Sequence, residues 1–449
     1  MLVRVEFLLT LVVELYSGYS WEEAFKFSTN WAMSRDVEWR GGPTFTTIVY
    51  NIRSYMDKNS LVKTSLRALS MLSEEARRRP LRPTLEPLPT MSRDKLKSWL
   101  RGFTEVRDTI GVERILLTLS QNLSLRDAAE IVFSIATDHY LSDGHVVDFA
   151  NKAFEYMESI LGGLDPHIMR SLAPLLAEAT RYKEELTWRH PVDDLVSIIN
   201  REVSRMYEVF SSKGDPLDPG LIARDILVDD PSHVARSITR YLEKGVDPRS
   251  IALGVALAGA YRIALFSSSN DVGDWLSVLH AFSYGNAIYQ ALARTPTREI
   301  FRGVYHGALR VYLDRFLNIP PFKIPRGSPG ESKERILRDI MVVLDKRYAV
   351  NEIAELVADY MANNYEQEDL IATLCRSVAR EDADFHTMQV IEAGLRAYER
   401  TRGEWDRKIV LIAIARYIAS QSPTERRLNQ VADIALRLQR GESVHEETP

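Results

Sequence analysis

Residues 251–266 read IALGVALAGAYRIALF, a long stretch that is apolar on every side and carries one charge, Arg262. A helix that is hydrophobic all round is buried in a large protein or crosses a membrane. Sixteen residues rise only about 24 Å as a helix, short of a ~30 Å hydrocarbon core. The stretch therefore predicts a central core helix. Gly254, Ala258 and Gly259 leave flat patches on it, and the helices bearing His280 and His306 are its expected neighbours.

Elsewhere the hydrophobic positions recur with helical rather than alternating spacing. Helices are expected at about 3–17, 21–34, 44–58 and 60–78, then from Ser92 to Phe103 and at 112–121, 124–140, 145–161, 167–187 and 191–212. A middle block follows at 231–244, 248–267, 273–294 and 297–318, and a last one at 333–347, 349–363, 367–379, 386–401, 406–420 and 425–439. Two short β-prone runs, 37–39 and 45–50, compete with this pattern, the second overlapping an expected helix. Proline-rich linkers at 77–92 and 319–332 divide the chain into regions 1–79, 91–318 and 333–440. The predicted fold is all-α, a multi-helical array of antiparallel pairs around a buried central helix. Such pairs could stack as a superhelix, but no repeat period names a solenoid family.

Composition narrows the function classes. With 449 residues, 45% of them hydrophobic, the chain can bury a large core. A net charge of −5 points to neither nucleic acid nor an anionic membrane. The single cysteine, Cys375, cannot build a disulfide framework or a cysteine-ligated cluster within one chain. The apolar run at 7–13 is short, is flanked by Glu6 and Glu14 and lacks a cleavage site, so it reads as an amphipathic first helix. No stretch qualifies as a membrane span, and a cytoplasmic protein is expected.

Phosphate-cradling glycine loops, H-E-x-x-H, G-x-S-x-G and paired Glu-x-x-His motifs on helices are missing, Glu442–His445 lying in the polar tail. Chemistry would fall to histidines that stand near acids. The densest group is Asp138-His139-Tyr-Leu-Ser-Asp143-Gly-His145, where a turn could bring two rings to one point. Asp143 could equally be only a helix N-cap. His145, Asp148, Lys152 and Glu155 form a polar stripe that reads as a solvated face unless it lines a site. His280 shares a face with Ser277 and Tyr284, suited to a pocket wall or to close packing. Arg302 and Arg310 flank His306, which makes it a neutral ligand or part of an exposed arginine face, with Asp314 paired to Arg310. Arg262 needs a partner: Asp274, Glu299, the end of a neighbouring helix or an anionic ligand. Glu178, Arg181, Tyr182 and Glu185, with Trp188 and His190 beyond, read as a salt-bridged helix surface.

Three short motifs carry a family likeness: Asp143-Gly-His145 opening a helix, His280-Ala281 with Asn286, and Tyr312-Leu-Asp-Arg-Phe ahead of Pro320-Pro321. Over about 130–330 the chain resembles the helical part of bacterial proteins that also carry a Rieske iron–sulfur domain. More loosely, it is similar to the questin-oxidase-like proteins. A Rieske centre needs two cysteines, so this chain departs from the first group there. The resemblance implies redox chemistry, oxygenation included, with His145 and His280 as ligands or proton-transfer groups and a separate protein as electron donor.

The leading expectation is an oxidoreductase, metal-dependent or oxygenase-like, with a His-lined pocket. Its catalytic residues would be His145 and His280, its cofactor contacts Arg262 and Tyr284. Its metal ligands would come from His139, His145, His280 and His306, with a transition metal such as iron and a small-molecule substrate. The rival is a non-catalytic helical scaffold for a protein partner. A third option is a small-molecule binder using Arg262 and His280 without chemistry. If one site exists, the imidazoles of His145 and His280 should lie within about 10 Å, close enough for one metal or substrate to bridge them.

Overall fold

A computed structural model describes residues 20–89, 91–142, 144–184, 192–439 and 441–442. Among these the regular elements are helices, and other backbone pairing is confined to isolated bridges such as Leu141 with Arg181. The fold is all-α, and no described helix is long and apolar enough to cross a membrane. The expected helix at 3–17, Asp143, residues 185–190 and His445 lie outside the described residues.

The chain forms two compact units. Unit 1 takes the described parts of 1–83, 326–392 and 417–449, and unit 2 takes 84–325 and 393–416. The unit boundaries at 83 and 325 fall in the two proline-rich linkers, but the three consecutive regions read from the sequence do not describe this grouping. The N- and C-terminal segments share one core, in which Val62 and Leu66 pack with Ala432 and Ala435.

Unit 1 begins with α1 (Trp21–Met33), α2 (Gly41–Ile52) and α3 (Lys58–Ala76). The β-prone run at 45–50 is helical within α2, where the Thr46 and Thr47 hydroxyls donate to the Pro43 carbonyl at 2.7 and 3.0 Å. Unit 2 holds α4 (Arg93–Glu105), α5 (Thr109–Asn122), α6 (Leu125–Ala136) and α7 (His145–Tyr156). It continues with α8 (Pro166–Ser171), α9 (Ala173–Ala177), α10 (Val192–Val209), α11 (Pro219–Ile226) and α12 (Pro231–Glu243). Then come α13 (Pro248–Ala264), α14 (Trp275–Arg294) and α15 (Arg298–Leu313). The remaining helices are α16 (Lys333–Val343), α17 (Val350–Ala362), α18 (Gln367–Ala379), α19 (Phe385–Arg400), α20 (Glu404–Gln421) and α21 (Arg427–Gln439).

Several starts follow one rule. Asp165, Asp218, Asp230 and Asp247 each precede a proline and accept a first-turn backbone N–H, so α8, α11, α12 and α13 open alike. Helix α11 lies in the gap between the helices expected at 191–212 and 231–244. The single helix expected over 167–187 is instead broken at Leu172, because Pro174 has no N–H to continue the ladder. Over the described residues 178–184 the expected helix face therefore does not form: Arg181 sits in an isolated bridge and pairs with Glu105 at 2.6 Å.

The apolar run becomes α13, buried on all sides. Its glycines decide how its neighbours approach. A Cβ on Gly259 would meet the Phe282 Cα of α14 at 2.7 Å, and one on Gly285 would meet the Ala256 Cα at 2.8 Å. Gly254 is filled against by Ile222 of α11, and Gly307 of α15 faces Val255. The expected patches at Gly254 and Gly259 are thus where α11 and α14 come close, while α15 approaches through its own Gly307.

Candidate functional site

The first residue of α7 is His145. The residue before it, Gly144, lies against α14: a Cβ there would come within 3.0 Å of Tyr284 Cβ and 3.2 Å of the His280 carbonyl. That close approach sets the start of α7 beside the middle of α14. The rings of His145 and His280 meet edge to face, with centroids 4.6 Å apart and planes at 75°. One ring nitrogen of each lies within 4.8 Å of the other. Both residues are half-buried, so solvent reaches the pair. Phe149, one turn along α7, packs on His145 at 4.6 Å.

Beside the pair is a cavity of about 20 Å³, lined by Tyr140, Ser142, His280, Tyr284, His306 and Arg310 among others. That volume takes one water-sized molecule and no organic substrate. His306 stacks on Tyr140 at 5.3 Å, and Tyr140 stacks on Tyr182 at 4.5 Å. The Tyr140 hydroxyl is buried and has no hydrogen-bond partner among the described residues. Burial, helped by the nearby Arg302 and His139, pushes the His306 pKa from 6.5 down to about 3, so the ring is neutral at physiological pH. Burial raises the Tyr284 and Tyr140 phenols above their ordinary value.

Cations stand along the same wall. Arg310 donates to the Ser142 carbonyl at 2.7 Å and to Ser277 Oγ at 3.3 Å, and Ser277 donates to the fully buried Asp314 at 2.6 Å. Arg310 also lies 3.9 Å from Asp314, the pairing expected from their i,i+4 spacing. Arg302 pairs with Asp138 at 2.6 Å. His306 is therefore not on an exposed arginine face: the ring is buried, both arginines are half-buried, and their guanidiniums bond carbonyls and acids.

The stripe on α7 needs a correction too. Asp148, Lys152 and Glu155 are buried, not solvated. Lys152 lies 3.0 Å from Glu155, and Arg396 of α19 closes on the same carboxylate. Burial alone would raise the Glu155 pKa, but Arg396 and Lys152 outweigh it and hold the group ionised. Asn151 joins through a 2.8 Å bond to Glu155. Immediately beyond, Met157–Leu161 form a π-turn closed by Gly162 at φ 76°. Such turns are rare and concentrate at functional sites.

Two expected site residues stand apart. His139 lines a second small cavity with Arg107 and Arg181, and its ring bonds Glu105. Arg262 is buried as expected, but neither Asp274 nor Glu299 is its partner. Its Nε donates to the Val311 carbonyl and its Nη1 to Asn318 Oδ1, both at 2.9 Å, while Asn318 donates back to the Arg262 carbonyl. The expectation that survives is the end of a neighbouring helix, α15. Burial lowers its pKa to about 10, opposed by Asp314. With these donors engaged, Arg262 is structural and contacts no cofactor through them.

Sequence reasoning singled out His145, His280, His306, Tyr284 and Arg310 but not Tyr140 or Arg396. Tyr140 lies inside the 138–145 cluster and could have been found there; nothing marks Arg396. Set against family models, curated proteins and solved structures, the chain finds no match, so the site is read from its own geometry.

Proposed function

We propose that unit 2 is the catalytic body of a metal-dependent oxidoreductase that holds a transition-metal ion between His145 and His280. One observation carries the metal reading: two half-buried imidazoles from different helices meet with centroids 4.6 Å apart. Zn- or Fe-type bonds of about 2.0–2.1 Å let one ion take a nitrogen from each ring. Water and substrate would fill the remaining positions. The neutral His306 and the unpartnered Tyr140 hydroxyl line a compartment for one water- or dioxygen-sized molecule next to His280. Iron, redox chemistry, a cytoplasmic setting and a separate electron donor come from the resemblance and the composition, and they belong to the proposal in that form.

Elemental analysis together with an absorption spectrum of the purified chain tests this. A transition metal at about one per chain, lost in His280→Ala with only a modest fall in thermal stability, is the expected result. Metal-free wild type that takes up none when supplied, with His280→Ala unchanged in behaviour, would replace it with the scaffold reading.

A further inference from the structure

We propose that the compartment beside His280 holds one water molecule fixed by the Tyr140 hydroxyl, and that Tyr140 acts through it as a positioning residue of the His145–His280 site. This rests on the reading of that pair as the functional centre, and it decides between the water and the dioxygen that the compartment's size admits. The compartment measures about 20 Å³. A cavity of roughly 10–15 Å³ or more takes one water when two to four polar partners surround it.

Tyr140 is held from two directions. Its ring stacks on Tyr182 at 4.5 Å and on His306 at 5.3 Å, and its carbonyl accepts the Tyr182 N–H at 2.7 Å. The hydroxyl is buried and has no hydrogen-bond partner among the described residues. Buried hydroxyls are nearly always bonded, so this one calls for an acceptor in the compartment that Tyr140 lines.

Dioxygen is apolar and would leave the hydroxyl unsatisfied. A small anion would need a cation to itself. Arg310 is the one cation lining the compartment among the described residues, and it already meets the Ser142 carbonyl, Ser277 Oγ and Asp314. His306 is neutral, since burial drives its pKa down to about 3, and it offers a lone-pair nitrogen instead of charge. Water matches this set. Burial keeps the Tyr140 phenol protonated, so it donates to the water oxygen. A ligating histidine commonly donates its second ring N–H to a carboxylate, a carbonyl or a water, which fixes its tautomer and orientation. His280 borders the compartment, and the water is that acceptor. With two bonds accepted, the water's own protons go to the His306 nitrogen and the Tyr284 hydroxyl oxygen, both of which line the same space.

Nuclear magnetic resonance of the metal-free full chain tests this without relying on metal uptake. Cross-peaks with the sign of a long-lived water should reach the ring protons of Tyr140 and His306. In Tyr140→Phe these should be lost, the His280 ring nitrogen shifts should move, and the thermal midpoint should fall, because a bonded hydroxyl has been removed. Amide signals away from the compartment should stay in place, which separates this loss from general damage. A hydroxyl without a bonded water predicts the opposite change in stability, since phenylalanine would remove an unsatisfied group. Wild type without the water cross-peaks, a Tyr140→Phe variant as stable as wild type or more so, or unmoved His280 nitrogens would each overturn the assignment. Under oxygen pressure, paramagnetic broadening of the Tyr140 and His306 rings beyond that of other buried rings would give the compartment to dioxygen instead. If the chain takes up no metal while the water signals hold, the metal reading fails and the water site stands.

Discussion

Gly144 packs against Tyr284, and that contact sets His145 beside His280. A Cβ at residue 144 would reach Tyr284 Cβ at 3.0 Å and the His280 carbonyl at 3.2 Å. The backbone can come this close to α14 only because the side chain is absent. Gly144→Val should therefore push the start of α7 away from α14 and separate the two rings. Ring-to-ring proton NOEs between His145 and His280 should be present in the wild type and lost in the variant. Their survival in Gly144→Val would show that the pairing does not depend on this approach.

The crossing of α13 and α14 is equally intolerant. Gly259→Ala places a methyl 2.7 Å from the Phe282 backbone, which cannot yield as a flexible side chain would. Overpacking of this kind typically costs about 1–3 kcal/mol. Chemical denaturation should show a loss of that size, and an unchanged midpoint would mean the helices slide apart freely.

Arg262 is held by a carbonyl and an amide, not by a carboxylate. Arg262→Ala then leaves the Val311 carbonyl and Asn318 short of a donor without stranding a buried charge. The expected loss is about 2–4 kcal/mol, the desolvation of one or two buried groups plus lost packing. A change below about 0.5 kcal/mol, the surface range, would contradict the buried assignment.

His306 makes the fold acid-sensitive in a stated direction. Its folded pKa of about 3 lies below the ordinary 6.5, so the unfolded chain takes a proton that the folded chain refuses. The contribution is complete above pH 6.5 and falls as pH drops from there toward 3, by about 1.4 kcal/mol per unit. The His306 ring signals should not titrate between pH 7.5 and 4.5, and His306→Gln should flatten the acid limb of the stability curve. A His306 midpoint near 6 would refute this.

Cys375 is fully buried, and burial pushes its thiol pKa up to about 12. It should resist thiol reagents in the folded protein and react once denaturant is added. Rapid labelling of the native chain would show that α18 opens.

What could be read from the sequence was local. The all-round apolar run announced α13, and its glycines announced close neighbours. The short Gly144 link and the position of His280 on the helix that follows the central apolar run made their approach a fair expectation. What stayed hidden depended on distant partners. A stripe of Asp148, Lys152 and Glu155 has the same period whether it faces water or Arg396, about 240 residues further on. A carbonyl such as that of Val311 leaves no trace in residue type, so Arg262 was offered acids it does not use. The joining of Val62 and Leu66 to Ala432 and Ala435 in unit 1 was invisible for the same reason.

The His145–His280 pair carries the proposed function, and cobalt(II) titration addresses it directly. Added to metal-stripped full-length protein, cobalt should bind at about one per chain and develop visible d–d bands, as histidine-ligated cobalt sites do. His145→Ala and His280→Ala should each abolish the bands, while His139→Ala, whose ring is engaged with Glu105, should keep them. Bands that persist in both variants, or a wild type that binds no cobalt, would contradict a metal centre on this pair.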